Sequence, residues 1–108
     1  MADVRARMQI DLRAAMRQQD RPRVSVLRTA LAALANAEAV EPQAVAVLEG
    51  VYAAEAERRE LTDADVRAVL HGVRDELLVA ADEIRRLGRA GDAERLREQA
   101  AIIESYVG

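Results

Sequence analysis

Apolar side chains recur along the chain at the three- and four-residue spacing of helices that bury one face. Four such stripes occur: Val4, Met8, Leu12, Ala15 and Met16; Val24, Leu27, Leu31 and Leu34; Val66, Leu70, Val73, Leu77, Ala80, Ile84 and Leu87; and Leu96, Ala100, Ile103 and Val107. Each stripe predicts a helix with its apolar face turned inward. The pattern therefore predicts an all-α fold, a small four-helix bundle with an irregular connection between helices 2 and 3.

Short polar residues mark the predicted starts of these helices. The candidate N-caps are Asp3, Asp20, Thr62 and Asp92. Thr62 is the strongest, because Asp65 follows it by three residues as in a capping box. Gly88 suits the left-handed position that follows a helix end.

Residues 41–60 carry no helical stripe. Pro42 cannot continue a helix interior, so the second helix is expected to end by about Val40. A structureless connection of about 18 residues is long for a compact domain, and we expect it to pack over the bundle or against a second copy. Its candidate partner-facing residues are Val45, Val47, Leu48, Val51 and Tyr52.

Composition narrows the chemistry further. The 108 residues fit one domain, residues 1–108, and the absence of cysteine excludes disulfides, thiolate catalysis and cysteine zinc sites. His71 is the only histidine and has no evident partner for a metal site or a catalytic triad. We expect no metal and no cofactor.

No apolar run approaches the roughly 20 residues of a membrane helix, and the N-terminus is too polar for a signal peptide. The expected location is cytoplasmic, without a membrane partner.

Charge is distributed unevenly along the chain. The net charge is −3, yet residues 1–30 carry seven arginines against three acids, and all sixteen basic residues are arginine. A basic N-terminal end can face nucleic acid, since clustered arginines neutralise phosphates. The alternative, which general charge patterning favours, is a basic helix packed near acidic helices of the same domain. The candidate RNA-binding residues are Arg13, Arg17, Arg21, Arg23 and Arg28.

No catalytic constellation emerges from the sequence. The hydroxyls are Ser25, Thr29, Thr62 and Ser105, and none has a histidine, lysine or cysteine in a recognisable spacing. The acids lie at helix caps or in pairs with arginine. We therefore expect a protein that is not an enzyme.

The order of several short motifs resembles the GatB/YqeY family. They are Leu12 with Ala15-Met16, Asp20, Arg23, Val26-Leu27-Arg28, Asn36-Ala37-Glu38, Leu61-Thr62-Asp63 with Val66 and Val69-Leu70, Gly88-Arg89 with Asp92, and Ile103-Glu104-Ser105-Tyr106. Each motif is generic, and their shared order covers nearly the whole chain. The resemblance implies the all-helical N-terminal subdomain of that family.

The family's second subdomain is related to the tail of the B subunit of the tRNA-dependent amidotransferase, a carbon–nitrogen ligase with glutamine as amido donor, where it contacts tRNA. Here Val107-Gly108 follows Tyr106, so that subdomain is expected to be absent. The stretch after Leu70 is nearly neutral where the family is basic, and the Ala/Val segment in residues 41–60 is an insertion.

Two functions remain open at this point. The resemblance implies an accessory module associated with tRNA or with an amidotransferase-like complex. The alternative is a protein-interaction or self-associating helical module, a homo-oligomer for example, with no nucleic-acid role.

Overall fold

The computed structural model describes residues 3–39 and 60–108, which form four helices and contain no strand. These are α1 (Val4–Gln18), α2 (Arg21–Glu38), α3 (Asp63–Arg86) and α4 (Ala90–Val107). The predicted all-α class and small four-helix bundle are confirmed for this part of the chain. The connection between α2 and α3 lies outside the described residues, as do the candidates Val45, Val47, Leu48, Val51 and Tyr52. None of the four helices is long and apolar enough to cross a membrane.

Three of the predicted N-caps are confirmed by hydrogen bonds. The carboxylates of Asp3 and Asp20 each accept from the backbone N–H three residues ahead, at 3.3 Å. The hydroxyl of Thr62 accepts from the N–H of Asp65 at 3.0 Å, and the Asp65 carboxylate accepts from the N–H of Thr62 at 3.1 Å. These bonds satisfy backbone donors that the first turn of a helix leaves free.

A two-residue turn joins α1 to α2. Gln19 has a left-handed backbone, with φ of 56°, and the N–H of Asp20 donates to the carbonyl of Ala15 at 3.0 Å. Asp20 therefore closes the end of α1 with its backbone and caps α2 with its side chain. Because so short a turn reverses the chain, α1 and α2 form a hairpin.

The turn between α3 and α4 differs from the prediction. Gly88 takes the expected left-handed conformation, with φ of 81°. The predicted N-cap Asp92 is wrong, because α4 begins at Ala90 after Arg89, which makes no side-chain cap. Asp92 lies inside the first turn, where its carboxylate pairs with Arg89 at 2.6 Å and Arg95 at 3.3 Å. A carboxylate in this position still complements the positive end of the helix dipole.

The core centres on α2, which packs against all three other helices. Its fully buried residues are Val26, Leu27, Ala30 and Leu34. Val24 and Leu31, which the predicted stripe included, are only half-buried. Because α2 has neighbours on several sides, its buried face differs from the single narrow stripe that the sequence predicted.

The far end of α3 also departs from the prediction. Leu70 and Val73 are buried in the central apolar cluster, whereas Leu87 is 75% exposed. At 24 residues, α3 is about 36 Å long, and the 18 residues of α2 reach only about 27 Å. Leu77 is the last α3 residue that packs against the cluster. The predicted stripe of α1 also places Met16 on the buried face, but Met16 is 49% exposed, whereas Met8 is fully buried.

Candidate functional site

The acids of the α1–α2 hairpin are all engaged within the molecule. Residues 3–39 hold seven arginines and four acids, a formal balance of +3. Asp3 and Asp20 cap helices, and Asp11 accepts a hydrogen bond from the hydroxyl of Tyr106. Glu38 pairs with Arg5 at 2.8 Å, which ties the end of α2 to the start of α1. Apart from Arg5 and Arg23, no arginine of the hairpin forms an ion pair with these carboxylates.

Three of the seven arginines are occupied in the same contacts. Besides Arg5, Arg23 pairs with Asp20 at 3.4 Å, and the guanidinium of Arg7 lies 5.3 Å from the ring centre of Tyr106. The other four are exposed and form no ion pair with any carboxylate in the described ranges: Arg13, Arg17, Arg21 and Arg28. We call these four residues the arginine surface.

Helical geometry groups the arginine surface on the outside of the hairpin. Arg13 and Arg17 are one turn apart on the side of α1 opposite its buried residues. Arg21 and Arg28 are two turns apart on the solvent side of α2. The short turn places Arg17 and Arg21 at the same end of the hairpin, so the α1 and α2 pairs approach each other there. The arrangement exposes four guanidinium groups to solvent along the outside of the hairpin.

Arg23 lies apart from the four, although the sequence grouped it with them. It is half-buried, and its pairing with Asp20 leaves it beside Tyr106, where its positive charge acts to lower the pKa of that phenol. Four of the five predicted RNA-binding arginines are thus exposed and form no ion pair within the described ranges, and the fifth pairs with Asp20.

The contact of Tyr106 with Asp11 and Arg7 is a feature that the sequence did not predict. Tyr106 is 8% exposed, its ring lies under Arg7 and its hydroxyl binds Asp11. Burial, reinforced by the hydrogen bond to the Asp11 carboxylate, raises the pKa of Tyr106 to about 12. The phenol is therefore a neutral donor at physiological pH. The local spacing of residues cannot predict a contact between two residues this far apart in the chain.

A shallow groove of about 390 Å³ lies between α3 and α4. Its floor is apolar, made by Leu78, Ala100 and Ala101. Its wall holds Arg74, which pairs with Glu104 at 2.5 Å, and this hydrogen bond raises the pKa of the guanidinium. Because the charges beside the groove neutralise one another, they favour neither a cationic nor an anionic ligand.

The remaining chemical groups are dispersed. No three His, Cys, Asp or Glu side chains in residues 3–39 and 60–108 lie close enough together to hold a metal ion. His71 is half-buried on α3. The hydroxyl of Thr62 serves the capping box, and that of Ser105 donates to the carbonyl of Ile102 at 2.6 Å.

No protein-family model, curated protein or solved structure matches the chain. Its own surfaces are therefore the basis for a functional inference, and the arginine surface is the most distinctive of them. It is basic in a protein whose net charge is −3.

Proposed function

We propose that this protein is a non-catalytic helical module that binds the phosphate backbone of RNA through its arginine surface. The supporting observation is the division of charge within the α1–α2 hairpin. Every acid in the described part of that hairpin is engaged in a cap, a hydrogen bond or an ion pair, while Arg13, Arg17, Arg21 and Arg28 are exposed without one.

Phosphate is the anion that suits this arrangement. Arginines spread along two helices can each neutralise one phosphate of a nucleic-acid strand and release its counterions. Such contacts position a protein on the strand without reading its bases. Tyr106, the one Phe, Tyr or Trp residue in the described ranges, is buried, so these ranges offer no exposed phenyl, phenol or indole ring on which an unpaired base could stack. We therefore expect binding with little sequence preference.

Transfer RNA is the first ligand to test, because the order of motifs along the chain resembles the GatB/YqeY family. In this proposal the chain corresponds to the N-terminal subdomain of that family and acts as an accessory factor in tRNA-dependent amidotransfer. The role also places the protein in the cytoplasm. It requires no catalytic residue, metal or cofactor of the module itself.

The test is a fluorescence-polarisation titration of the full chain with labelled bulk tRNA over a range of salt concentrations. Four phosphate contacts predict a plot of log affinity against log salt with a slope of about −3 to −4. Replacing Arg13 and Arg17 by glutamine should reduce the steepness to about −2 and lower the affinity at low salt. Absence of binding at low salt would refute the proposal.

A matched control comes from α4 and the turn before it. Arg89 and Arg95 are exposed arginines that already pair with Asp92. Their double replacement by glutamine removes the same number of charges and should leave the slope unchanged. An equal loss in both double variants would mean that only net charge matters, which contradicts a defined arginine surface.

A further inference from the structure

The outward faces of α1 and α3 each expose one branched aliphatic side chain. Ile10 on α1 is 61% exposed, and Val79 on α3 is 60% exposed. Both lie opposite the buried residues of their own helix, so no other described helix covers them. Isolated exposed aliphatics are common, but the charges around these two set them apart.

Charges of opposite sign flank the two aliphatics. On α1, Arg13 and Arg17 follow Ile10 on the same face, at three and seven residues. On α3, Glu76 precedes Val79 by three residues and Glu83 follows it by four. Neither glutamate forms an ion pair with a basic residue in the described ranges, and both are exposed.

Neighbouring acids on α3 behave differently. Asp75 pairs with Arg74 at 3.0 Å, and Asp82 pairs with Arg97 of α4 at 3.4 Å. Asp75 and Asp82 are thus ion-paired, whereas Glu76 and Glu83, beside Val79, form no ion pair within the described ranges. Like charges held near one another without partners favour the approach of an opposite charge.

Gly72 completes this face of α3. It lies one turn before Glu76, and a Cβ placed on it would meet no atom within 4 Å. A glycine inside a helix costs about 1 kcal/mol relative to alanine. No packing within the described chain compensates for that cost, and the site leaves open space at the helix surface for a long side chain from outside.

We propose that the α3 face of one copy binds the α1 face of a second copy, with the two helices antiparallel. In this register Ile10 packs on Val79. Arg13 follows Ile10 by three residues and Glu76 precedes Val79 by three residues, so the antiparallel arrangement places Arg13 beside Glu76. Arg17 then crosses the open surface at Gly72. A second copy fits because one chain carries both complementary faces.

The contact is weak and depends on salt. It buries two aliphatic side chains and a few exposed charges, and exposed ion pairs contribute little each and are screened by salt. Each copy offers both faces, so contact is either reciprocal in a two-fold dimer or continues along an open chain. Self-association and RNA binding also compete for Arg13 and Arg17.

Sedimentation equilibrium of the full chain without RNA tests the contact. At about 200 µM protein and ~50 mM salt, the weight-average mass should exceed the 11.8 kDa of the monomer, and at ~0.5 M salt it should return to that value. A mass of 11.8 kDa at both salt concentrations would overturn the proposal.

Two charge-reversal variants identify the surfaces. Arg13→Glu and Glu76→Arg each place like charges together and should weaken self-association by roughly tenfold or more. Mixed in equal amounts they should associate again, because wild-type Arg13 of one variant meets wild-type Glu76 of the other. Circular dichroism checks that each variant keeps its helices, and both replaced side chains are on the surface.

Arg95→Glu provides the control, since Arg95 is exposed on α4 away from both faces. It should self-associate like the wild type. Self-association that survives in both reversal variants, or a mixture that stays monomeric, would overturn the proposed register. Because no RNA is present, either result leaves the RNA-binding proposal to its own test.

Discussion

The hydroxyl of Tyr106 donates a hydrogen bond to the carboxylate of Asp11, which joins α4 to α1 across 95 positions of the sequence. Arg7 covers the same ring from α1. This contact fixes the first helix against the last one, whereas the most extensive packing of the bundle is between α3 and α4.

Removing the hydroxyl should destabilise the protein. Tyr106→Phe keeps the ring and its packing but deprives Asp11 of a donor, and we expect the free energy of unfolding to fall by about 1–2 kcal/mol. Urea denaturation followed by circular dichroism measures the change. Ser105→Ala is the control, because that hydroxyl is exposed and bonds only within its own helix. A loss as large in the control would argue against a specific role for the Asp11 contact.

The same contact predicts a loss of stability at alkaline pH. The pKa of Tyr106 rises from an ordinary value of about 10 to about 12 on folding, so the folded state favours the neutral phenol. Its contribution is complete below about pH 10 and is lost as the pH rises toward 12. Urea midpoints measured across this range should fall more steeply for the wild type than for Tyr106→Phe. Parallel curves would contradict the prediction.

Two glycines should respond in opposite directions to the same substitution. Gly72 lies in α3 with open space around it, so Gly72→Ala should raise the free energy of unfolding by about 0.5–1 kcal/mol. Gly88 has φ of 81°, a conformation that side chains with a Cβ disfavour, so Gly88→Ala should lower it by about 1 kcal/mol. Denaturation at high salt, where self-association is suppressed, separates the effects. A change of the same sign in both variants would contradict the local environment described for one of the two glycines.

Two leucines that the apolar stripes both place on buried helix faces should contribute differently to the free energy of unfolding. Leu87 is 75% exposed, so Leu87→Gln should change the free energy of unfolding by less than about 0.5 kcal/mol. Leu34 is fully buried, and Leu34→Ala should cost about 2–5 kcal/mol. Thermal and urea denaturation of the two variants make the comparison. A large loss of stability in Leu87→Gln would instead indicate that the apolar stripe of α3 is buried as far as Leu87, as the sequence predicted.

Local features of the sequence predicted the helices well. The caps at Asp3, Asp20 and Thr62 could be read because a cap depends only on residues within one turn. The left-handed turn at Gly88 is equally local. Asp92 failed as a cap because an acid within the first turn and an acid that starts the helix have nearly the same local pattern.

Burial was harder to predict because it depends on neighbouring helices. Periodicity shows which face of α3 is apolar, but it does not show how far along the helix a neighbour reaches, which is why Leu87 was misplaced. The proximity of Arg23 to Tyr106, which lies on a distant helix, was beyond local spacing for the same reason. Ion pairs between helices, such as Arg5 with Glu38, were also beyond local spacing.

The central place of α2 has a consequence for how the protein is made. The apolar face of α2 is covered in part by Leu70 and Ile103, which the ribosome adds long after α2 itself. Contacts between residues far apart in sequence form slowly, and apolar surface left uncovered meanwhile is prone to aggregation. The first hairpin therefore emerges with its core unfinished, and the bundle closes only when α4 is available.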